Sequence, residues 1–352
     1  MLLEGIFPAV TTPFYPDGRL YVRKLEHNID RYSRTPVAGL AVLGSTGEAV
    51  MLGDEESRTV LRVAREAAAA EKVLLAGVAR ESLVETLRLA EFAAEQQYDA
   101  VLVRTPHYYG PQMGRTELLT YYRALADHSP LPLVLYSIPK FTHYDLPVDV
   151  IAELAQHPNI IGIKDSSGKV ERIAEIVAAT HNAPRRKATV TQTFSAFTTR
   201  MMLALTPPPE HFVSAEALGG QAAMAVAPPV QKVKAAREKE VGFQVLTGSV
   251  HNILEAIEAG ASGGVLAFAA CAPQACQEIY TAWKENDPKI AREKQQRVIE
   301  ASRIVGNKLG IPGIKYACDL NGYYGGRPRI PLLPLGAEQQ GEVDRAMADL
   351  RN

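Results

Sequence analysis

Short apolar runs that end in small or polar residues recur along the chain. They begin at Gly5, Gly39, Lys72, Ala100, Leu131, Asn159, Gly242 and Gly263. The segments between them, such as EESRTVLRVAREAAAA from Glu55, carry apolar residues three and four positions apart, a spacing typical of amphipathic helices. Continuous apolar runs of this length indicate strands that are buried on both faces. The pattern therefore predicts eight parallel strands that alternate with helices.

Eight such repeats predict an α/β fold, a (β/α)8 TIM barrel, which usually takes about 250 residues. A doubly wound sheet is the alternative, but no G-x-G-x-x-G opens the first helix. Because the chain has 352 residues, we expect a barrel over residues 1–284 and a C-terminal helical domain over residues 285–352. An insertion between the sixth and seventh strands, at about residues 182–241, is expected at the amino-terminal face, with a structural or assembly role.

Composition restricts the classes of function. The chain is 47% hydrophobic and 22% charged, with a formal net charge of -1, which argues against nucleic acid or a membrane surface as a partner. Cys271, Cys276 and Cys318 have neither C-x-x-C spacing nor a paired His motif, so neither a disulfide framework nor a zinc site is predicted. Glu4 and Pro8 interrupt the first apolar segment, which is expected to be a strand and not a signal peptide. A cytoplasmic location fits these features.

A lysine stands where the sixth apolar run ends, in GIKDSSG from Gly162 to Gly168. Taken alone, Lys164 could be a solvated residue that opens a loop. In a barrel, however, the active site is built at the carboxyl ends of the strands. A lysine in an apolar barrel mouth loses the hydration that favours its charged form, and a neutral amine can attack a ketone. Lys164 is therefore a candidate for forming an imine.

Tyrosines and hydroxyls stand at the ends of the other predicted strands. Tyr136 ends the fifth run and could move protons, although alone it would be an ordinary core tyrosine. Ser45 and Thr46 follow the second run and could cap the next helix, a role compatible with binding an anion. No cluster of His, Asp and Glu suited to a divalent metal stands among these ends, so neither a metal nor a dissociable cofactor is predicted.

Three segments carry a family resemblance: GSTGE from Gly44, LYSIP from Leu135 and GIKDSSG from Gly162. They closely resemble the signature segments of the dihydrodipicolinate synthase and N-acetylneuraminate lyase family of pyruvate-dependent class I aldolases. The resemblance covers nearly the whole chain apart from the insertion. It implies a barrel with a C-terminal helical domain, a homotetramer or homodimer, and pyruvate and an aldehyde as small-molecule partners.

The resemblance also implies roles for residues of the barrel mouth. Lys164 matches the lysine that forms the imine, and Tyr136 matches the acid/base tyrosine. Ser45 matches the hydroxyl of a proton relay. Thr46 matches the residue whose backbone amide, together with that of Ser45, holds the carboxylate of pyruvate.

Two further groups of residues complete the predicted site. Tyr108 matches the relay tyrosine that a neighbouring subunit inserts, and Tyr109, one position away, remains an alternative. Ser166, Gly248 and Ser249 follow the sixth and seventh strands and are candidates for contacting the substrate.

Within the family, stretches such as GIPGIKYACDLNGYYGG most resemble 4-hydroxy-2-oxoglutarate aldolase, which implies cleavage to pyruvate and glyoxylate. The family's dipicolinate synthases usually carry an arginine where this chain has Phe141, and Ser137 replaces their asparagine. Synthesis of 4-hydroxy-tetrahydrodipicolinate therefore stays an alternative, as does cleavage of a 2-keto-3-deoxy sugar acid. A regulatory barrel that binds an oxo acid without turnover is the non-enzymatic alternative.

Overall fold

The computed structural model describes residues 2–189 and 238–350. The strands of this part are β1 Gly5–Pro8, β2 Gly39–Val42, β3 Val73–Gly77, β4 Ala100–Arg104, β5 Leu133–Ser137, β6 Ile160–Asp165, β7 Arg186–Thr189, β8 Glu238–Val241, β9 Gln244–Thr247 and β10 Gly263–Leu266. Eight of them form one parallel sheet in the order β1-β10-β9-β6-β5-β4-β3-β2. A parallel bridge between Ala9 and Ala41 joins β1 to β2, so the predicted barrel is confirmed.

Helices follow the strands and continue beyond the barrel. They are α1 Val22–Ser33, α2 Asp54–Ala67, α3 Leu83–Glu95, α4 Arg115–His128, α5 Pro139–Thr142, α6 Val148–Leu154, α7 Val170–Ala179, α8 Ile253–Glu258, α9 Pro273–Lys284, α10 Pro288–Ser302, α11 Gly310–Leu320 and α12 Ala337–Ala346. A π-helical stretch, Arg303–Lys308, joins α10 to α11. The C-terminal part is therefore helical, as the sequence predicts.

The barrel strands are buried on both faces, as their continuous apolar runs predict. In β5, Leu133 and Leu135 pack in the cluster of the surrounding helices, whereas Val134 and Tyr136 pack in the cluster inside the barrel. The strand register places Lys164 of β6 beside Tyr136. The two side chains therefore share the barrel interior, because side chains on a strand alternate between faces.

Gly162 in β6 has a packing role. A Cβ atom on this residue would lie 2.4 Å from the carbonyl oxygen of Gln244 in the neighbouring strand. Only glycine fits such a close approach of two backbones. The glycine of the GIK segment thus lets β6 and β9 pair just below Lys164.

The two ends of the predicted insertion pair as a short antiparallel ribbon formed by β7 and β8. Arg186 of this ribbon donates hydrogen bonds to the carbonyl oxygens of Ile161 and Gly242, both at 3.0 Å. These two residues stand at the amino-terminal ends of β6 and β9, so the ribbon lies at the face opposite Lys164. Most of the segment expected to be an insertion, residues 190–237, lies outside the described residues.

Candidate active site

Lys164 and Tyr136 form the centre of the site. Lys164 is only 5% exposed, although its side chain carries an amine. Its Nζ lies 4.0 Å from the centroid of the Tyr136 ring. The neighbouring barrel strands hold the two residues in register, which fixes an amine against a phenol in a largely apolar mouth.

The GSTGE segment forms a turn at the end of β2. Ser45–Gly47 is a single turn of 3-10 helix, and the Ser45 Oγ lies 3.5 Å from the hydroxyl oxygen of Tyr136. Helix α2 begins later, at Asp54, with Gly53 before it. Ser45 and Thr46 therefore do not cap α2, and their turn is free to face the barrel mouth.

Glu48 fastens this turn to the C-terminal part. It adopts a left-handed conformation with φ of 54°, and its carboxylate accepts a hydrogen bond from Lys315 Nζ at 2.6 Å. The side chains of both residues are at most 1% exposed. The second oxygen of Glu48 accepts the backbone N–H of Arg329 at 2.8 Å, so two distant C-terminal residues position the loop.

A cavity of about 430 Å³ opens above these groups. Gly248 sits tightly in its wall, since a Cβ there would lie 1.9 Å from the Oγ of Ser166. Of the eight residues predicted for the site, seven line this cavity: Ser45, Thr46, Tyr136, Lys164, Ser166, Gly248 and Ser249. The barrel thus brings together residues that end or follow four separate strands.

Tyr108, the eighth residue, does not line the cavity. Tyr108 and Tyr109 follow β4, are 74% and 63% exposed and pack edge to face with their ring centroids 5.0 Å apart. The backbone N–H groups of His107 and Tyr108 both donate to the carboxylate of Glu81, at 2.9 and 3.0 Å. This anchored loop presents two aromatic rings to the outside of the single chain.

Asp165, next to Lys164, is a structural residue. Its carboxylate accepts the backbone N–H of Ser167 at 3.0 Å and pairs with Arg172 Nε at 2.8 Å. With both oxygens engaged, Asp165 shapes the turn after β6.

Phe141 and Lys140 occupy the rim of the cavity, beyond the end of β5. Phe141 is 48% exposed. No guanidinium lines this cavity in the described part of the chain, so the position where the family's synthases usually carry arginine presents an aromatic ring here.

The C-terminal part supplies a wall that the sequence analysis did not identify. His251 follows β9, and Ser302, Gly306 and Asn307 come from the end of α10 and the π-helical stretch. Burial lowers the pKa of His251, and the nearby positive charge of Arg303 lowers it further. The sequence carries only a weak signal for this wall. A π-helical stretch often marks a functional site, but the spacing of apolar residues does not reveal where such a stretch will form.

The described residues hold neither a metal-binding cluster nor a membrane-spanning helix. Among residues 2–189 and 238–350, no group of three His, Cys, Asp or Glu side chains is placed to hold a metal ion. In the same part of the chain, no helix combines the length and the apolar character needed to cross a membrane. Cys271, Cys276 and Cys318 are all buried free thiols.

The chain matches a known protein family and is similar to known enzymes. Residues 2–184 and 216–350 match the Dihydrodipicolinate synthetase family. The chain is similar to a 4-hydroxy-tetrahydrodipicolinate synthase of Acidiphilium cryptum, at 27% identity over 99% of each chain. It is 29% identical to a synthase of the same name from Cereibacter sphaeroides, over 98% of each.

A solved structure has the same fold. It is YagE of E. coli K12, described as a prophage protein belonging to the dihydrodipicolinic acid synthase family, in complex with pyruvate. The TM-score is 0.77 at 23% identity, over 99% of each chain. The two curated relatives carry the name of the synthase that the sequence analysis kept as an alternative, not that of the 4-hydroxy-2-oxoglutarate aldolase that it favoured.

Proposed function

Because the chain belongs to the dihydrodipicolinate synthetase family of class I lyases, we propose that it joins pyruvate to an aldehyde, or reverses that reaction, through an imine at Lys164. The observation that carries the proposal is the buried amine of Lys164 against the ring of Tyr136. A lysine that is buried without a carboxylate partner carries a desolvation cost, and groups of this kind often mark a functional site. The pyruvate complex of the fold relative from E. coli K12 supports the choice of oxo acid.

The chemistry follows from these groups. The Nζ of Lys164 attacks the ketone carbon of pyruvate, and loss of water gives the imine. Loss of a proton from the methyl carbon gives an enamine, whose carbon attacks the aldehyde carbon while the aldehyde oxygen gains a proton. Tyr136, with Ser45 3.5 Å from its hydroxyl, carries these protons. Water then hydrolyses the imine and releases the lysine.

Other residues bind and complete the relay in this proposal. The amides that open the turn after β2, on Ser45 and Thr46, hold the carboxylate of pyruvate, since backbone N–H groups at such a turn suit an anion. Tyr108 reaches the site of a neighbouring copy of the chain, consistent with its 74% exposure. This requires at least a homodimer.

The relatives are named for the product 4-hydroxy-tetrahydrodipicolinate. Removing the carbons of pyruvate from that ring leaves aspartate 4-semialdehyde, which is therefore the first candidate for the second substrate. With this aldehyde, the amino group of the condensed chain attacks the imine carbon, displaces the lysine amine and closes the ring, in place of hydrolysis by water. Both relatives match over nearly their full length. One observation counts against the first candidate and so keeps a second one, cleavage of 4-hydroxy-2-oxoglutarate to pyruvate and glyoxylate. Phe141 stands on the rim where the family's synthases use arginine to hold a carboxylate.

The imine is tested by incubating the protein with pyruvate and borohydride and mapping the adduct by peptide mass. We expect a reduced adduct on Lys164 and none in the Lys164→Arg variant. Lys72 is an internal control, since it is equally buried but donates to the carbonyl oxygens of Thr35 and Val37 at 2.7 and 2.9 Å. A folded protein without an adduct, or with the adduct only on Lys72, would refute the proposal.

The second substrate is tested by initial rates with pyruvate and each aldehyde in turn. Faster consumption of aspartate 4-semialdehyde than of glyoxylate supports the first candidate. The reverse order supports the second. If neither aldehyde is consumed by a protein that does form the imine, both assignments are wrong.

A further inference from the structure

Lys315 joins the C-terminal part to two loops of the barrel. It belongs to helix α11, and its Nζ donates to the carbonyl oxygen of Thr12 at 2.8 Å and to the carboxylate of Glu48 at 2.6 Å. Thr12 comes after strand β1 and Glu48 after strand β2, which are neighbours in the barrel. One buried ammonium group therefore sets the distance between two loops at the carboxyl ends of adjacent strands.

Both partners of Lys315 hold the turn Ser45–Gly47, which faces the barrel mouth. The Thr12 hydroxyl donates to the carbonyl oxygen of Gly47 at 2.6 Å, and Glu48 is the next residue of the chain. Lys315 thus contacts the main chain of one residue that holds the turn and the side chain of the other. The carboxyl end of the turn is fixed on two sides by groups that share one ammonium.

The backbone of Glu48 needs these contacts. Its φ of 54° is left-handed, a conformation that few residues other than glycine adopt and that persists where the surrounding structure fixes it. One carboxylate oxygen accepts from Lys315 and the other from the backbone N–H of Arg329. The Glu48 side chain therefore holds the main chain at the point where the turn ends.

A buried ion pair is a costly way to join two parts of a protein. The loss of hydration offsets much of the attraction between the charges, and apolar side chains of similar volume often stabilise a protein as well or better. Charge-assisted hydrogen bonds differ from apolar contacts in that they fix distance and direction. The bonds of Lys315 are therefore suited to setting the geometry of the turn.

We propose that Lys315 is a positioning residue for the reaction, and that it holds the turn of Ser45 and Thr46 in the geometry that pyruvate requires. This inference rests on the proposed lyase function, and it deepens that function by giving the C-terminal part a share in it. Without Lys315, the two amides lose their alignment with the carboxylate of pyruvate. The Oγ of Ser45, which lies 3.5 Å from the hydroxyl oxygen of Tyr136, is displaced from the proton relay as well.

Two measurements with pyruvate alone test the proposal in Lys315→Met, well below its melting temperature. The pyruvate concentration that gives half-maximal borohydride trapping should rise about tenfold, as for loss of one charge-assisted hydrogen bond to the carboxylate. The rate of hydrogen–deuterium exchange at the methyl carbon of saturating pyruvate, followed by NMR, should fall. Lys72→Met is the matched control. Lys72 is also buried and donates to two carbonyl oxygens, but it precedes β3 at the opposite face, so its loss should change neither measurement.

Further variants separate positioning from folding. Thr12→Val removes the hydroxyl that holds Gly47 but keeps the carbonyl oxygen that accepts from Lys315, so it should also weaken pyruvate binding, and Thr12→Ser should restore it. This pair decides the question if Lys315→Met does not fold. In a Ser45→Ala background, Lys315→Met should lower the exchange rate by a smaller factor than in the parent, because it acts on proton transfer through Ser45.

Several outcomes overturn this inference without touching the imine. One is a folded Lys315→Met or Thr12→Val protein with the half-saturating pyruvate concentration of the parent. Another is an equal loss in Lys72→Met, which would assign the effect to general destabilisation. A third is the same fall in exchange rate with and without the Ser45 hydroxyl. Absence of pyruvate trapping in the parent would mean that the proposed function itself has failed.

Discussion

Replacing Lys315 with methionine should destabilise the protein strongly. The Lys315 side chain is completely buried and donates to Glu48 at 2.6 Å and to the carbonyl oxygen of Thr12 at 2.8 Å. Burial lowers its pKa, and the negative charge of Glu48 opposes that shift. Removing one member of a buried ion pair typically costs about 3–5 kcal/mol, because the other charge is left without compensation.

The lower end of that range applies here. Glu48 keeps the N–H of Arg329 on its second oxygen, and methionine fills most of the space of the lysine stem. We therefore expect Lys315→Met to lower the free energy of unfolding by about 3 kcal/mol. For a chain of 352 residues, this corresponds to a fall in melting temperature of about 4 °C.

Thermal unfolding of four proteins forms the assay: the parent, Lys315→Met, Glu48→Gln and the double variant. Glu48→Gln removes the charge that Lys315→Met leaves without compensation. The double variant should therefore lose about 2 kcal/mol less unfolding free energy than the two single variants lose together. Strictly additive effects, or a melting temperature of Lys315→Met within 1 °C of the parent (about 0.7 kcal/mol), would refute the reasoning from a buried ion pair.

Three further predictions concern the site. Gly248→Ala should cost about 1–3 kcal/mol from overpacking and reduce turnover, because its Cβ would lie 2.8 Å from the Cβ and 3.1 Å from the Cα of Ser166, which cannot rotate away as the Oγ can. Gly306→Ala, which meets nothing within 4 Å, is the control, and equal melting temperatures would contradict the packing argument. Burial favours a higher pKa for Glu81, but hydrogen bonds from the backbone of Tyr108 and His107 and from Arg104 outweigh it and lower that pKa below 4.5. The contribution of the Glu81 carboxylate to stability is therefore present above about pH 4.5 and is lost as the pH falls further. The difference in melting temperature between the parent and Glu81→Gln should narrow from pH 7 to pH 4. A constant difference would count against a stabilising role for this carboxylate. Tyr136→Phe should lower kcat by a factor of about 10² to 10⁴ in steady-state assays, and an unchanged kcat would remove the phenol from the proton relay.

The barrel and the centre of the site were accessible from the sequence for a simple reason. Parallel strands bring their carboxyl ends to one face, so residues that end separate apolar runs must meet. Lys164 and Tyr136 stand at equivalent positions of neighbouring strands, and the alternation of side chains turns both inward. Local chemistry and strand order were enough for this pair.

Other parts depend on contacts that no local pattern encodes. His251 and Asn307 line one cavity because the fold brings together residues that are 56 positions apart in the chain. The role proposed for Tyr108 depends on a second copy of the chain, and no pattern within one chain encodes that contact. The choice of aldehyde rests on single side chains at the rim, such as Phe141, and there the resemblance and the names of the relatives lead to different substrates.

The hydrogen bond from Arg329 to Glu48 spans 281 positions of the chain, and it has a consequence for protein synthesis. On the ribosome, all eight barrel strands are made before Arg329 is added, so the GSTGE loop emerges long before the group that fixes it. A nascent barrel would hold Lys164 next to an unanchored loop. Under the proposed function, competence for the reaction should therefore appear only after the last segment has been released and has folded back, so that unfinished chains would not act on oxo acids in the cell.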